Sequence, residues 1–222
     1  MARTEHRRAG RPRQAVLNRE RIAGAALAVV DDRGDFTLPE VARRLGVQTA
    51  SLYHHVDGRA GVVELLRERI GELMDTAPLD GSSWDLALSG YFRSYRAVFA
   101  AHPRVVPLLT TSTVTEPRVI AAYERVVVLL EEAGVQRRDV MTIVTAMENF
   151  IIGSALDLAA PDVMWEVPEG VDAPRLAAAL TAQPAGDGRA DRAFEFGMQT
   201  FLAMIRRLSE PGDASKEAQH RS

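Results

Sequence analysis

Side chains able to do covalent chemistry are sparse in this 222-residue chain, and none falls into a catalytic spacing. There is no cysteine, so a disulfide framework, a thiolate nucleophile and a cysteine-containing zinc site are all excluded. His54 and His55 are adjacent, which on a helix turns them to different faces, and no third ligand stands nearby; no metal is expected. Glu148, His102 and the acid-bearing stretch after residue 160 could act as acid–base groups. Without a nucleophile–base pair or a phosphate-cradling glycine loop, however, an enzyme is the weakest reading, and no cofactor is expected. What the chain does concentrate is hydrogen-bonding surface. Gln48, Thr49, Ala50, Ser51, Tyr53 and His54 are small or polar, and only Leu52 interrupts them. Gln and Thr side chains can meet base edges in a DNA major groove, and Ala can meet a thymine methyl, so the expected chemistry is noncovalent recognition of double-stranded DNA. Thr37, Tyr53 and Arg59 are placed to reach phosphates on either side of that run.

The charge distribution points the same way. The net charge is −3, but the chain up to Ile70 carries 13 basic against 9 acidic residues and the remainder 14 against 21, which is +4 followed by −7. A polyanion responds to the local patch more than to the total. Within the basic end, Gly10-Arg11-Pro12-Arg13 resembles an AT-hook core, a flat cationic segment able to follow a narrow minor groove. The competing reading of Arg11 and Arg13 is a solvated tail without specificity. No apolar signal core follows the N-terminal arginines, and the apolar runs are interrupted by charges before reaching the roughly 20 residues that span a bilayer. A cytoplasmic protein without membrane contact is expected.

The elements that must present these residues are short helices. Asn18 is a good N-cap for a helix over 18–30, with Ile22, Ala26, Val29 and Val30 at helical spacing. Thr37-Leu38-Pro39-Glu40 is a capping box for a second helix, which Gly46 stops after about two turns. A third helix is expected over 49–54, anchored by Leu52 and Val56, and a fourth over 59–74. Two short helices around a glycine turn cross steeply and turn the second one outward. The Pro- and Gly-containing stretch 77–81 is the best domain junction. Beyond it, helical periodicity covers 84–101, a short element after Pro103, 117–133, 138–159 and 189–208, with one turn near 175–180. No strand signal occurs, so the class is all-α with nine or ten helices. The expected organisation is a flexible basic arm over 1–17, a DNA-binding domain over 18–76 that includes the start of the connecting helix, a second helical domain over 82–208, and a disordered tail over 209–222.

The run from Thr37 to Val47, then Leu52-Tyr53-His54-His55-Val56, then Arg59, resembles the helix-turn-helix signature of the TetR family of bacterial transcription regulators. Most members carry Lys where Arg59 stands, an exchange that keeps a phosphate contact but alters its geometry. Trp84, His102-Pro103, Gly153 and Phe194-Glu195-Phe196-Gly197 are similar, more loosely, to the regulatory domain of the tetracycline-repressor subgroup. The resemblance implies a homodimer whose second domain senses a small molecule, with helices 138–159 and 189–208 forming a four-helix interface. Val144, Ile151, Ile152, Phe194, Phe201, Leu202 and Ile205 supply apolar surface beyond one helix stripe, consistent with burial against a second copy; a thick monomeric core is the rival.

Candidate cavity-lining residues are Phe92, Tyr95, Phe99, Leu108, Leu109, Tyr123, Met141, Met147 and Trp165, with Glu148 and Asn149 as polar groups. Tetracycline-type repressors chelate their ligand through magnesium with a His after the His-Pro-like segment; here Pro107-Leu108-Leu109 stands there. An apolar or amphiphilic effector without metal is therefore expected. The function expected is a ligand-released repressor binding a near-palindromic operator, with a constitutive architectural DNA-binding protein as the alternative.

Overall fold

In the computed structural model, described for residues 17–209 apart from 82, 162 and 184–187, regular structure is helical throughout. The arm with Arg11 and Arg13 and the tail beyond 209 lie outside the described residues. Helix α1 spans Arg19–Arg33: the Asn18 side chain accepts from the Arg21 amide at 2.9 Å, and Gly34, at φ 83°, closes the other end with its amide on the Val30 carbonyl. The helix runs one turn past the expected 30, because the left-handed backbone that only glycine adopts cheaply comes at 34.

Helix α2 (Leu38–Leu45) begins with both halves of the capping box in place and ends at Gly46, φ 69°. Helix α3 (Thr49–Leu52) is shorter than the expected 49–54; Tyr53 to His55 form a turn. Ile22, Ala26, Val30, Phe36, Val41, Leu52, Val62 and Leu66 are buried together, so the first four helices share one small core. Helix α4 (Gly58–Leu73) packs along α1 and continues out of that core to touch the second half of the chain.

A 3₁₀ turn at Ala77–Asp80 takes the place of the expected open junction and lies against α5 (Trp84–Ala101). A Cβ at Gly90 would sit 2.9 Å from Pro78, so the absence of a side chain there permits the close approach. After a 3₁₀ turn at Pro103–Val105 come α6 (Val106–Leu109), α7 (Pro117–Glu132), α8 (Arg137–Asp157), α9 (Pro174–Thr181) and α10 (Arg189–Ser209). Helix α5 is central and packs on α7 and α8, while α10 closes over α8. The last contact is tight: a Cβ at Gly197 would overlap the Phe150 ring, which stacks on Phe194 with 5.7 Å between centroids and 4° between planes. Charged pairs tie α5 to α10, with Arg93 bidentate on Glu195 (2.8 and 2.7 Å) and Arg206 on Asp85 (2.5 Å). Helix α8 is, by length and composition alone, long enough to cross a membrane, with Glu148 interrupting its apolar run as expected. Its apolar character serves helix packing against α5, α7 and α10.

Candidate functional site

The α2–Gly46–α3 unit turns Gln48, Ala50, Tyr53 and His54 to solvent, with Tyr53 59% exposed, while Thr49 and Ser51 are half-buried. Leu52 and Val56 hold the unit from below. Gln48 occupies the N-cap position of α3 without a side-chain capping bond, so its amide stays available on the outer face. Thr37 and Arg59 also hydrogen-bond within the chain. The Thr37 hydroxyl donates to Glu40 Oε2 at 2.8 Å and accepts from the Glu40 amide at 3.4 Å, so it serves the cap of α2. The hydrogen bonds from Thr37 also hold the Glu40 carboxyl below the usual carboxylate range. Arg59 donates to the Phe36 carbonyl at 2.5 Å and to Asp35 at 2.6 Å, with its guanidinium 4.5 Å over the Phe36 ring. Both side chains are thus engaged in fixing the segment before α2, and the Arg59 side chain remains 48% exposed. Arg43, in the last turn of α2, was passed over in the sequence; it is exposed and forms no ion pair among the described residues. The Arg43-Arg44 doublet was the available signal: Arg44 pairs with Asp32 at 3.0 Å, leaving its neighbour outward.

A cavity of about 570 Å³ lies where α4 meets the second half. Helix α5 contributes Tyr91, Tyr95 and Phe99, α7 contributes Ala122 and Tyr123, and α8 contributes Glu148, Asn149 and Ile152. Leu109 ends α6 at its rim. Tyr95, Phe99, Leu109, Tyr123, Glu148 and Asn149 thus come together as candidate lining. Phe92 and Met147 are instead fully buried behind the wall, Leu108 packs against the core beside it, and Met141 and Trp165 are exposed elsewhere, 55% and 53%. Arg67, Ile70, Gly71 and Met74 of α4 also line the cavity, although the expected lining lies only in the second domain, with this helix as the start of a connection. The apolar stripe of α4 that continues to Ile70 and Met74 was the signal.

The Tyr123 hydroxyl makes a very short hydrogen bond to Glu148 Oε1, and the Tyr95 hydroxyl donates to the same oxygen at 3.4 Å. Burial pushes the Glu148 carboxyl above its usual range, and the two tyrosine hydrogen bonds oppose that shift only partly. Burial followed by the adjacent Glu148 charge raises all three tyrosines, Tyr91 to about 12. These phenols stay protonated and act as donors at neutral pH.

Several side-chain bonds connect the halves, among them Thr115 to Glu64 at 3.3 Å, Arg118 to Glu72 at 3.0 Å, and two larger sets. Arg67, buried on α4, donates through Nη2 to the Leu109 carbonyl (3.0 Å), the Ser112 carbonyl (3.3 Å) and Ser112 Oγ (2.6 Å), binding α4 to the end of α6. Arg104 donates to the Asp31 and Asp32 carbonyls at 2.8 and 2.7 Å, and His102 Nδ1 lies 2.9 Å from Asp31, which fastens the last turn of α1 to the 3₁₀ turn before α6.

Helices α8 and α10 place the expected interface residues mostly inward. Val144, Ile151, Phe194, Leu202 and Ile205 are buried within the chain, Ile152 lines the cavity, and Phe201 packs on Phe150. The apolar surface of Val144, Ile151, Phe194, Leu202 and Ile205 is taken up within the chain, while Ile152 and Phe201 are only half-buried. The apolar groups left outside on α10 are Phe196, 78% exposed, Met204 and Leu208, which flank a shallow groove with Thr200 and Ala203.

Comparison with known proteins places this geometry. The family model described as the tetracyclin repressor-like C-terminal domain matches residues 77–208. The HTH-type transcriptional repressor DrrR1 of Streptomyces coeruleorubidus is 24% identical over 152 residues, 67% of this chain and 56% of its own length. This chain therefore spans little more than half of that relative. The class D tetracycline repressor protein of Escherichia coli is 26% identical over 196 residues, covering 85% of this chain and 88% of that protein. In fold, the Streptomyces coelicolor TetR family protein ActR, solved in complex with actinorhodin, superposes with a TM-score of 0.69 at 24% identity over 90% of this chain and 99% of that one.

Proposed function

This chain belongs to the TetR family of transcription regulators, and on that premise we propose that it is a homodimeric repressor that a small amphiphilic molecule releases from a near-palindromic operator. Such regulators act by binding, not by catalysis. The observation that carries the reading is the position of the cavity: α4, which packs on α1 in the DNA-binding half, also forms part of the cavity wall. A ligand filling that space presses on Ile70, Gly71 and Met74, and the Arg67 bonds join the same helix to α6. An effector that prefers one setting of α4 shifts the population between two head spacings, and only one of these fits successive major grooves, roughly 34–36 Å apart.

Gln48, Ala50, Tyr53 and His54 are the base- and backbone-facing residues in this reading, with Thr49 and Ser51 beside them and Arg43 at phosphates. Arg11 and Arg13 add an auxiliary minor-groove contact. The second copy packs through the outward faces of α8 and α10, centred on Phe196. The protein acts in the cytoplasm, where its operator is.

The test is selection of bound duplexes from a random DNA pool, followed by titration of the best duplex at two salt concentrations. A near-palindrome bound with steep salt dependence is expected. Weak binding without sequence preference would refute operator recognition and favour the architectural alternative.

A further inference from the structure

The ionic groups around the cavity do not cancel evenly. Three arginines line it, and each has its own carboxylate: Arg67 with Glu64 at 3.5 Å, Arg118 with Glu72 at 3.0 Å, and Arg125 with Asp80. Glu72 also meets Arg69 at 3.3 Å. Glu148 alone among the acidic lining residues forms no ion pair with any described residue. Both of its tyrosine donors converge on Oε1, leaving Oε2 without a hydrogen-bond donor among the described residues, on a side chain that lines the cavity. Around that oxygen the wall is aromatic: Tyr91 and Tyr95 lie 6.2 Å apart, and Tyr95 and Phe99 4.9 Å, centroid to centroid.

We infer that the effector is an amphiphilic cation, with a protonated amine seated on Glu148 Oε2 and a flat hydrophobic body against Tyr91, Tyr95, Tyr123 and Phe99. A carboxylate that is partly desolvated and lacks a counter-ion attracts an ammonium strongly, since a charge-assisted bond gains more where water is scarce. Tyrosine faces add a cation–π contribution that a neutral or anionic head cannot obtain. An anionic ligand would have to displace an existing Arg–carboxylate pair or sit beside Glu148 and be repelled. The inference rests on the cavity being the effector site, as proposed above, and narrows that reading to one charge class.

Three probes of nearly equal shape test it on the full-length protein at pH 7: 1-pyrenemethylamine, 1-pyrenemethanol and 1-pyrenecarboxylate, followed by pyrene fluorescence. The amine is expected to bind at least about tenfold more tightly than the alcohol, and the carboxylate most weakly. In Glu148→Gln, which keeps an oxygen for the tyrosines, the amine and alcohol are expected to bind within about twofold of each other. Equal or tighter binding of the alcohol or carboxylate to the unaltered protein overturns the charge assignment and leaves the cavity as a ligand site. An amine preference that survives in folded Glu148→Gln, verified by circular dichroism, also overturns it. Failure of all three to bind or to raise the melting temperature overturns the charge assignment together with the effector-site reading.

Discussion

Replacing Arg67 with methionine keeps a long unbranched stem on α4 but removes the one donor that α4 gives to the end of α6. The guanidinium is buried, and its Nη2 serves three acceptors, two of them well made: Ser112 Oγ at 2.6 Å and the Leu109 carbonyl at 3.0 Å. Hydrogen bonds to a charged donor contribute about 1.5–3 kcal/mol each, so the gross loss is about 3–6 kcal/mol. Part of that is returned because methionine carries no charge to desolvate, and Glu64, the ion-pair partner, is one-third exposed and can be hydrated. A net destabilisation of about 2–4 kcal/mol follows, read as a lower urea midpoint at constant slope. The functional consequence is separable. Effector coupling in two-site proteins amounts to about 1–3 kcal/mol, or 5–150-fold in affinity. If α4 and α6 move together through Arg67, saturating effector should weaken operator binding by a factor at least about tenfold smaller in Arg67→Met, while effector affinity changes less. Fluorescence anisotropy of labelled operator, with and without effector, measures that ratio. An unchanged ratio in a variant shown to be destabilised would refute the coupling route. Unchanged stability would refute the account of the bonds themselves.

Four other outcomes are expected. Gln48→Ala should cost about 1–3 kcal/mol of operator binding and relax selectivity at one base position, as competition with single-base variants of the selected duplex would show. Removing residues 2–13 should weaken operator binding and flatten its dependence on salt concentration; an identical slope would leave Arg11 and Arg13 without a DNA role. Phe196→Glu places a charge on an exposed site, so the melting curve of the monomer should barely change while sedimentation velocity shows loss of dimer at micromolar concentration. Because burial raises the Glu148 pKa above its ordinary 4.5, the folded chain holds that proton more strongly than the unfolded one. Wild-type stability should therefore fall, relative to Glu148→Gln, as pH climbs from the ordinary carboxyl value through the raised one, and then level off; parallel melting series between pH 4 and 8 would reveal a flat difference if the carboxyl were not desolvated.

Local signals in the sequence carried most of the fold. Asn18, the Thr37–Glu40 box and Gly46 act within four residues of themselves, through backbone groups that must be capped wherever the chain folds, so helix ends were readable to within about a turn. The expected 84–101 helix matches α5 at both ends, and the turn expected near 175–180 is α9, Pro174–Thr181. Of the six residues around Leu52 expected to face solvent, Gln48, Ala50, Tyr53 and His54 do, while Thr49 and Ser51 are half-buried, because a run that encircles so short a helix cannot all lie on its outer face.

What the linear pattern left open was which apolar surface meets which. Ile151, Phe194 and Leu202 have the same chemistry whether they face α5 or a second copy; only the assembled bundle, with Phe150 laid across Gly197, turned them inward and left Phe196 outside. The cavity depended on tertiary structure for a similar reason. Arg67, Ile70 and Met74 lie far in sequence from Tyr123 and Glu148, and nothing local records that α4 outlasts its own domain and reaches them. The sequence alone determined the helices, the recognition motif and its polarity of charge. Tertiary structure decided the partners of each apolar face and the isolation of Glu148, because burial and ion pairing are properties of the surroundings that distant segments supply.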